Sequence, residues 1–415
     1  MQNISCGIDF GTTNSVAALA DGEKIELVPL EEDKKTLPTA IFCSKTNRLF
    51  GQMAVDAYMQ GEEGRFMRSM KRILGTDLMN TTTLINGKQV SFDSLIGSFL
   101  KKIKTQSENC ARAEISSTVL GRPVHYQDYN PEADRLAENK MREIAASVGF
   151  KEIVFQYEPI AAAFAHEQNL AQDKTAFVVD LGGGTSDFTV IRIGPGYRQK
   201  SDRKDDILAT SGVRVGGNDF DRDLSVNSFM PQFGKGTIYG TKNLPVPEFL
   251  FSHLSEWSKI NFMYTPKNIR MVKDILLTAH SPKRVENLLL LLEMQQAHQL
   301  LQVVEQAKID LTIQAHVKTF FDNLGERLNF EIKQGDFEFA VQHECDKIIQ
   351  SMKECLSLAN LKADAVDMLI LTGGTSQIPL VQRAIRQLFP DAFISDKQRM
   401  ESVALGLAHM AQKVF

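Results

Sequence analysis

Two stretches of the chain set an acid, glycines and threonines between apolar runs: "CGIDFGTTNSVAAL" at 6–19 and "FVVDLGGGTSDFTVI" at 177–191. Glycine has no side chain, so backbone N–H groups in such a turn can close around a phosphate. Gly11, with Thr12, Thr13 and Asn14, would wrap one side. Gly182, Gly183 and Gly184 would wrap the other. An acid ending the preceding strand can face a magnesium ion riding on the same phosphates, usually through water. Asp9 and Asp180 hold that position, and Thr12, Thr13 and Thr185 add hydroxyls. One such turn alone is commonly just a tight turn. Two matched copies read as the halves of one clamp on a Mg-triphosphate. No G-x-x-x-x-G-K-[ST] is present, so this is not a P-loop. Both turns lead into a second strand and not a helix, which excludes a dinucleotide fingerprint.

Two more glycine turns suit a nucleotide. "VGGNDFD" (215–221) sets Gly216 and Gly217 before an acidic helix start. "LTGGTSQIP" (371–379) sets Gly373 and Gly374 between strand and helix, where a backbone can approach a base or ribose. Glu305, Lys308 and Thr312, spaced i, i+3, i+7, share one helical face. On spacing alone that trio reads as a solvated helix edge.

These residues need a scaffold of strands and crossover helices. Ile4–Phe10 and Ser15–Leu19 read as strands around the first turn, and Thr175–Val179 and Phe188–Ile193 as strands around the second. The repeat of this plan predicts an α/β chain of two related lobes, 1–172 and 173–415. Glu62–Leu74 and Ser94–Thr105 have helical spacing. Residues 117–124 read as strand then turn. Glu132–Val148 reads as a helix with Asn130 as N-cap and Pro131 at N1. Residues 158–168 form another helix, and Ser281-Pro282 opens a long helical region toward Leu311. Residues 367–389 read as strand, glycine turn and helix. The mixed-charge stretch 194–206 reads as a solvated hairpin loop.

Composition narrows the function classes. The chain has 415 residues, net charge −4 and 43% hydrophobic residues. The balance is wrong for a sequence-independent nucleic-acid binder, which needs a basic surface. The apolar string Leu288–Leu292, like every other in the chain, is far below the ~20 residues a bilayer requires. The start lacks the pattern of a signal peptide. The five cysteines are scattered and odd in number, which fits reduced thiols of a cytoplasmic protein. The histidines show no ligand spacing with cysteines or acids, so no structural metal site is expected.

The ordered set "GIDFGTTNS" (7–15), "MKRILG" (70–75), "EPIAAA" (158–163), "DLGGGTSD" (180–187), "GGNDFD" (216–221), "EQAKIDLT" (305–312) and "LTGGTSQIP" (371–379) resembles the actin-like ATPases. Within them it resembles the seventy-kilodalton heat-shock chaperones of the DnaK type, over their nucleotide-binding domain. "LGRPVHYQ" with "FQYEPIAAAFAHEQ" is most similar to the YegD-like branch. The resemblance implies an actin-like fold, with two related lobes built on ribonuclease-H-like sheets around a central nucleotide cleft. It implies ATP/ADP with Mg2+, and K+ as a further cation. It implies a slow ATPase whose lobe closure is read by an unidentified protein partner or client. Asp9 and Asp180 would hold Mg2+ through its waters. Lys71 matches the catalytic lysine, Glu158 a carboxylate near the attacking water, and Asp187 a support of the phosphate loop. Thr185 completes the catalytic set. Glu305, Lys308 and Thr312 match ribose and adenine contacts, and Gly216, Gly217, Gly373, Gly374 and Thr375 line the nucleotide.

Several departures qualify the resemblance. Ile309 and Gln377 stand where the family usually has two arginines against the adenine ring. Neither offers cation–π attraction or guanidinium stacking, so weaker and less purine-selective binding is expected. Met400 stands where the family has an acid. The stretch 222–304, within an enlarged region of about 213–304, exceeds its family counterpart. No substrate-binding domain is expected, because the sequence stops at Phe415. The alternative reading is therefore a nucleotide-binding scaffold or sensor with little hydrolysis. A small-molecule kinase is disfavoured by "MKRILG" and "EPIAAA".

Overall fold

In the computed structural model, residues 4–22, 24–127, 130–168, 170–198, 200, 203–395 and 401–415 are described. Met400 lies outside them. By contacts the chain divides into two units, Met1–Gly216 with Lys347–Ser376 and Gln382–Phe415, and Gly217–Asp346 with Gln377–Val381.

The first unit is organised by two sheets of one plan. Runs rich in apolar residues form β1 (Ser5–Phe10), β2 (Asn14–Asp21), β3 (Lys24–Leu27), β4 (Ser117–Arg122) and β5 (Glu152–Tyr157), in the order β5-β4-β1-β2-β3. A second set comprises β6 (Lys174–Leu181), β7 (Ser186–Ile193), β8 (Ile207–Val213), β9 (Met368–Thr372) and β10 (Phe393–Ser395). Its order is β8-β7-β6-β9-β10. In each sheet the central strand, β1 or β6, has an antiparallel hairpin partner on one side and a parallel neighbour on the other. The next strand out is antiparallel on the hairpin side and parallel on the crossover side. Asp9 and Asp180 therefore occupy corresponding places near the ends of the central strands. The central strands are buried on both faces, as in covered sheets: β6 is buried from Ala176 through Leu181, and β1 nearly throughout.

The covering helices are α1 (Phe92–Ala111), α2 (Pro131–Ser147), α3 (Glu158–Glu167) and α4 (Ser402–Val414). Asn130 caps α2 by accepting from the Ala133 N–H at 3.1 Å, and Pro131 sits at its first position. Small residues let α4 press close. A Cβ on Gly406 would stand 1.7 Å from the Ala161 carbonyl oxygen of α3, and one on Gly7 of β1 2.4 Å from the Ala408 nitrogen. One apolar cluster joins Ile160–Ala163 with Val178, Ile191, Ile370 and Leu407.

The second unit is mainly helical, with helices at Gly217–Leu224, Glu248–Leu254, Pro266–Leu276, Pro282–Glu293 and Ala297–Asp310. A hairpin pairs His316–Phe321 with Leu328–Lys333. Trp257 is buried there, its ring centroid 5.7 Å from that of His298.

Three local expectations change. Residues 62–74 are not a helix: Gly64–Arg68 pairs antiparallel with Ala40–Ser44, and Met70–Ile73 is one 3₁₀ turn. Ser69, at φ 58°, separates them. The apolar spacing of Phe66, Met67, Met70 and Ile73 suits strand-then-turn as well as helix. The region from 281 to 311 is two helices, interrupted at Gln295 with φ 55°. The loop 194–206 is anchored and not merely solvated. Arg203 bonds the nearly buried carboxylates of Glu167 at 2.8 Å and Asp206 at 2.6 Å. No described helix is long and apolar enough to cross a membrane.

Candidate functional site

The first unit brings both acid–glycine turns together. Gly11 follows β1 so tightly that a Cβ there would stand 2.0 Å from the Asn14 carbonyl oxygen. After β6, the Gly182 N–H donates to the Thr185 carbonyl at 2.9 Å and closes the second turn. The two turns face one another: a Cβ on Gly184 would lie 2.9 Å from the Thr12 hydroxyl and 3.1 Å from Cγ of Arg72. Gly216 backs the second turn, where a Cβ would lie 2.6 Å from the Gly183 carbonyl carbon and the Gly184 nitrogen. Gly373, at φ 77°, packs on the Leu181 carbonyl. The Thr375 hydroxyl donates to the Gly182 carbonyl at 3.0 Å. Thr375 thus braces the turn through its hydroxyl, while Gly374 faces open space.

Beside the turns, Lys71 is held by the 3₁₀ turn and pairs with Glu158 at the start of α3. Both side chains are under one tenth exposed. Burial alone would lower the pKa of the Lys71 ammonium. The fields of Glu158, Asp9 and Tyr126 together with the Glu158 hydrogen bond reverse that, and the net shift is upward. The acids feel the opposite. Burial, then the Glu158 charge, pushes Asp9 up to about 7, against the pull of Lys71. Burial and the charges of Glu158, Asp187 and Asp9 drive Asp180 well above the usual carboxylate range. Asp187 is raised to about 7 by burial and Glu158, although the Val124 N–H and the Thr185 side chain bond it. The Val124 bond is 2.7 Å.

Four buried or part-buried carboxyls thus face one lysine. That excess of negative charge on oxygen ligands suits a hard divalent cation. The donor set therefore fits Mg2+.

The 122–127 segment was not foreseen as part of the site. Arg122 bonds Asp134 at 2.5 Å and pairs with Glu138, and its guanidinium lies 5.0 Å from the Tyr157 ring centroid. This fixes the loop that presents the Val124 N–H to Asp187. Buried Tyr126 reaches the Lys71 neighbourhood, and burial pushes its phenol up. Arg214 donates to the Arg72 carbonyl at 3.1 Å and to Gln127 at 2.6 Å. The sequence signal was the conspicuous run "GRPVHYQ", whose apolar and aromatic residues carry no chemistry by type.

The second unit holds the remaining candidates. Lys308 is paired with buried Asp221 at 2.8 Å and donates to the Gly217 carbonyl at 3.3 Å. Glu305 precedes it by one turn, whereas Thr312 lies just past the helix end, its hydroxyl donating to the Ile309 carbonyl at 2.7 Å. Ile309 is about half exposed and Gln377 is exposed.

The family model described as Hsp70 protein matches residues 5–244 and 277–414. Residues 245–276, with Trp257, fall between the matched segments, inside the stretch expected to be enlarged. A chaperone protein DnaK of Thermosipho africanus (strain TCF52B) is 26% identical over 412 residues, 98% of this chain and 58% of its own. One of Thermosipho melanesiensis (strain DSM 12029 / CIP 104789 / BI429) is 25% identical over 411 residues, with the same coverages. The chain spans under three fifths of the length of these curated relatives.

Proposed function

The chain belongs to the Hsp70 protein family and has its actin-like ATPase fold, and we propose that it is a chaperone-type, Mg-dependent ATPase that slowly converts ATP to ADP and phosphate. The observation that carries this reading is the buried Lys71–Glu158 pair set among Asp9, Asp180 and Asp187. Phosphoryl transfer asks little covalent chemistry of a protein; positioning and charge stabilisation do most of the work. The two glycine turns offer backbone N–H groups, and Thr12, Thr13 and Thr185 hydroxyls, to the phosphates. Lys71 puts a fixed positive charge beside the transferred group. Glu158 holds that ammonium in place and accepts from the attacking water. Asp187, tied to the Val124 N–H, steadies the second turn. Mg2+, held through its waters by Asp9 and Asp180, would neutralise charge on the phosphate oxygens.

For base and ribose the reading rests on the resemblance, which assigns Glu305, Lys308, Ile309, Thr312 and Gln377. Lobe closure on the nucleotide, read by a protein partner in the cytoplasm, is the proposed output, and the YegD-like branch the proposed placement. The test is single-turnover phosphate release from Mg-ATP, with wild type beside Lys71→Ala. Release that Lys71→Ala abolishes, with Mg-ADP binding retained, supports the ATPase. Binding without release in the wild type overturns it in favour of a nucleotide-gated scaffold.

A further inference from the structure

The second unit gathers a further set of charged groups. Asp219 and Asp223 lie on the helix Gly217–Leu224; His343 and Glu344 lie on the helix Gln334–Leu358. Arg222 bonds Asp223 Oδ1 at 2.9 Å, Asp219 at 3.1 Å and Glu344 Oε1 at 2.8 Å. One guanidinium therefore serves three nearly buried carboxylates. Asp223 is 8% exposed, and its Oδ2 is buried with no hydrogen-bond partner. That oxygen faces His343 Nε2 at 3.6 Å, and the same nitrogen is 3.2 Å from Glu344 Oε1. One ligand atom from each of the three residues lies within 4.8 Å of the other two.

These spacings have a chemical meaning. Ligand atoms about 2.0–2.2 Å from a tetrahedral ion stand roughly 3.3–3.6 Å from each other. Nitrogen with two carboxylate oxygens is a donor set for first-row divalent ions and not for Mg2+ or Ca2+, which prefer oxygen alone. We propose that Asp223, His343 and Glu344 form a site for one divalent cation of the Zn2+ class, completed by water. The ion ties the two helices together and meets the orphaned Oδ2 of Asp223. This proposal departs from the expectation that the histidines form no structural metal site with acids. Asp223 is 120 residues from His343, so no local spacing could reveal the set.

The test uses the full chain without nucleotide, titrated with Zn2+ by calorimetry and followed by thermal unfolding. Wild type takes up one Zn2+ with a rise in Tm. His343→Ala, which removes an imidazole 58% exposed and so leaves the fold standing, weakens uptake about tenfold or more. Asp223→Asn does the same, and Glu331→Gln, on the exposed hairpin strand Leu328–Lys333, leaves uptake unchanged. Co2+ substitution gives a visible band that His343→Ala abolishes, and Mg2+ at about millimolar concentration does not displace Zn2+. Zn2+ affinity unchanged within about twofold in His343→Ala, or absence of uptake by the wild type, overturns the proposal.

Discussion

Replacing Lys71 by alanine removes the one ammonium paired with Glu158 and leaves that carboxylate buried beside Asp9, Asp180 and Asp187. Breaking a buried pair from one side costs about 3–5 kcal/mol, because a charge is stranded in low dielectric. Both partners are under one tenth exposed, so solvent screens little of this. At pH 8 the urea midpoint of Lys71→Ala should fall by the equivalent of that amount, at unchanged m-value. The double variant Lys71→Ala with Glu158→Gln should recover about 2–3 kcal/mol, since the Glu158 charge is no longer stranded. The loss should also shrink on acidification. Asp9 and Asp187, already raised to about 7 with the ammonium present, rise further without it and bind a proton in the folded state first. Their contribution is complete below the unfolded carboxyl value near 4 and is lost as pH rises through the folded value. A Lys71→Ala protein within about 0.5 kcal/mol of wild type at pH 8, or one that Glu158→Gln fails to rescue, refutes the reasoning.

The same sign governs the wild type. Asp187→Asn keeps an oxygen for the Val124 N–H but loses the charge. Without Mg2+, its urea midpoint should exceed that of wild type increasingly from pH 5 to pH 8, by a few kcal/mol in all; a pH-independent difference would contradict the assignment. Gly216→Ala drives a methyl into the Gly183–Gly184 backbone. It should cost about 1–3 kcal/mol and weaken Mg-ATP binding, as read by calorimetry. Ile309 and Gln377 supply no guanidinium, so ATP and GTP affinities should lie within about tenfold. Ile309→Arg should tighten ATP a few-fold, worth about 0.5–1 kcal/mol; strict ATP selectivity in the wild type would count against this.

What was legible in the sequence follows from how local each signal is. The turns after β1 and β6 could be read because glycine, acid and threonine must be contiguous to make them. Their duplication foretold two sheets of one plan. The Asn130-Pro131 start of α2 was readable for the same reason, since a cap needs only three neighbours. The strand at Gly64–Arg68 was not, because it exists through its pairing with Ala40–Ser44, and its own apolar spacing suits a helix equally. Long-range support was also invisible. Nothing near Asp187 announces Val124, 63 residues earlier, and nothing in "GRPVHYQ" shows that Arg122 is anchored by Asp134 and Glu138. Lys71 and Arg72 read by type as a solvated pair; only the resemblance gave Lys71 a role, and its burial beside Glu158 supplies a physical reason.

The charge arrangement of the first unit joins stability to ligand. Asp9, Asp180, Asp187 and Glu158 converge on one lysine, and the folded protein resists ionising several of them. A fold optimised for stability alone would replace some of these acids with amides. Their presence makes sense if the folded state is completed by a cation. By linkage, whatever such a cation does for these acids it must also do for the fold: ionising Asp9 and Asp180 strengthens cation binding, and a bound cation favours their ionisation by the same free energy. Mg2+ with nucleotide should therefore stabilise the chain more at pH 8 than at pH 5, because protons compete for Asp9 and Asp180 at the lower pH. Thermal unfolding with and without Mg-ADP at the two values measures this directly. A larger stabilisation at pH 5 would mean that the acids near β1 and β6 do not meet the cation, and that its site must be sought elsewhere.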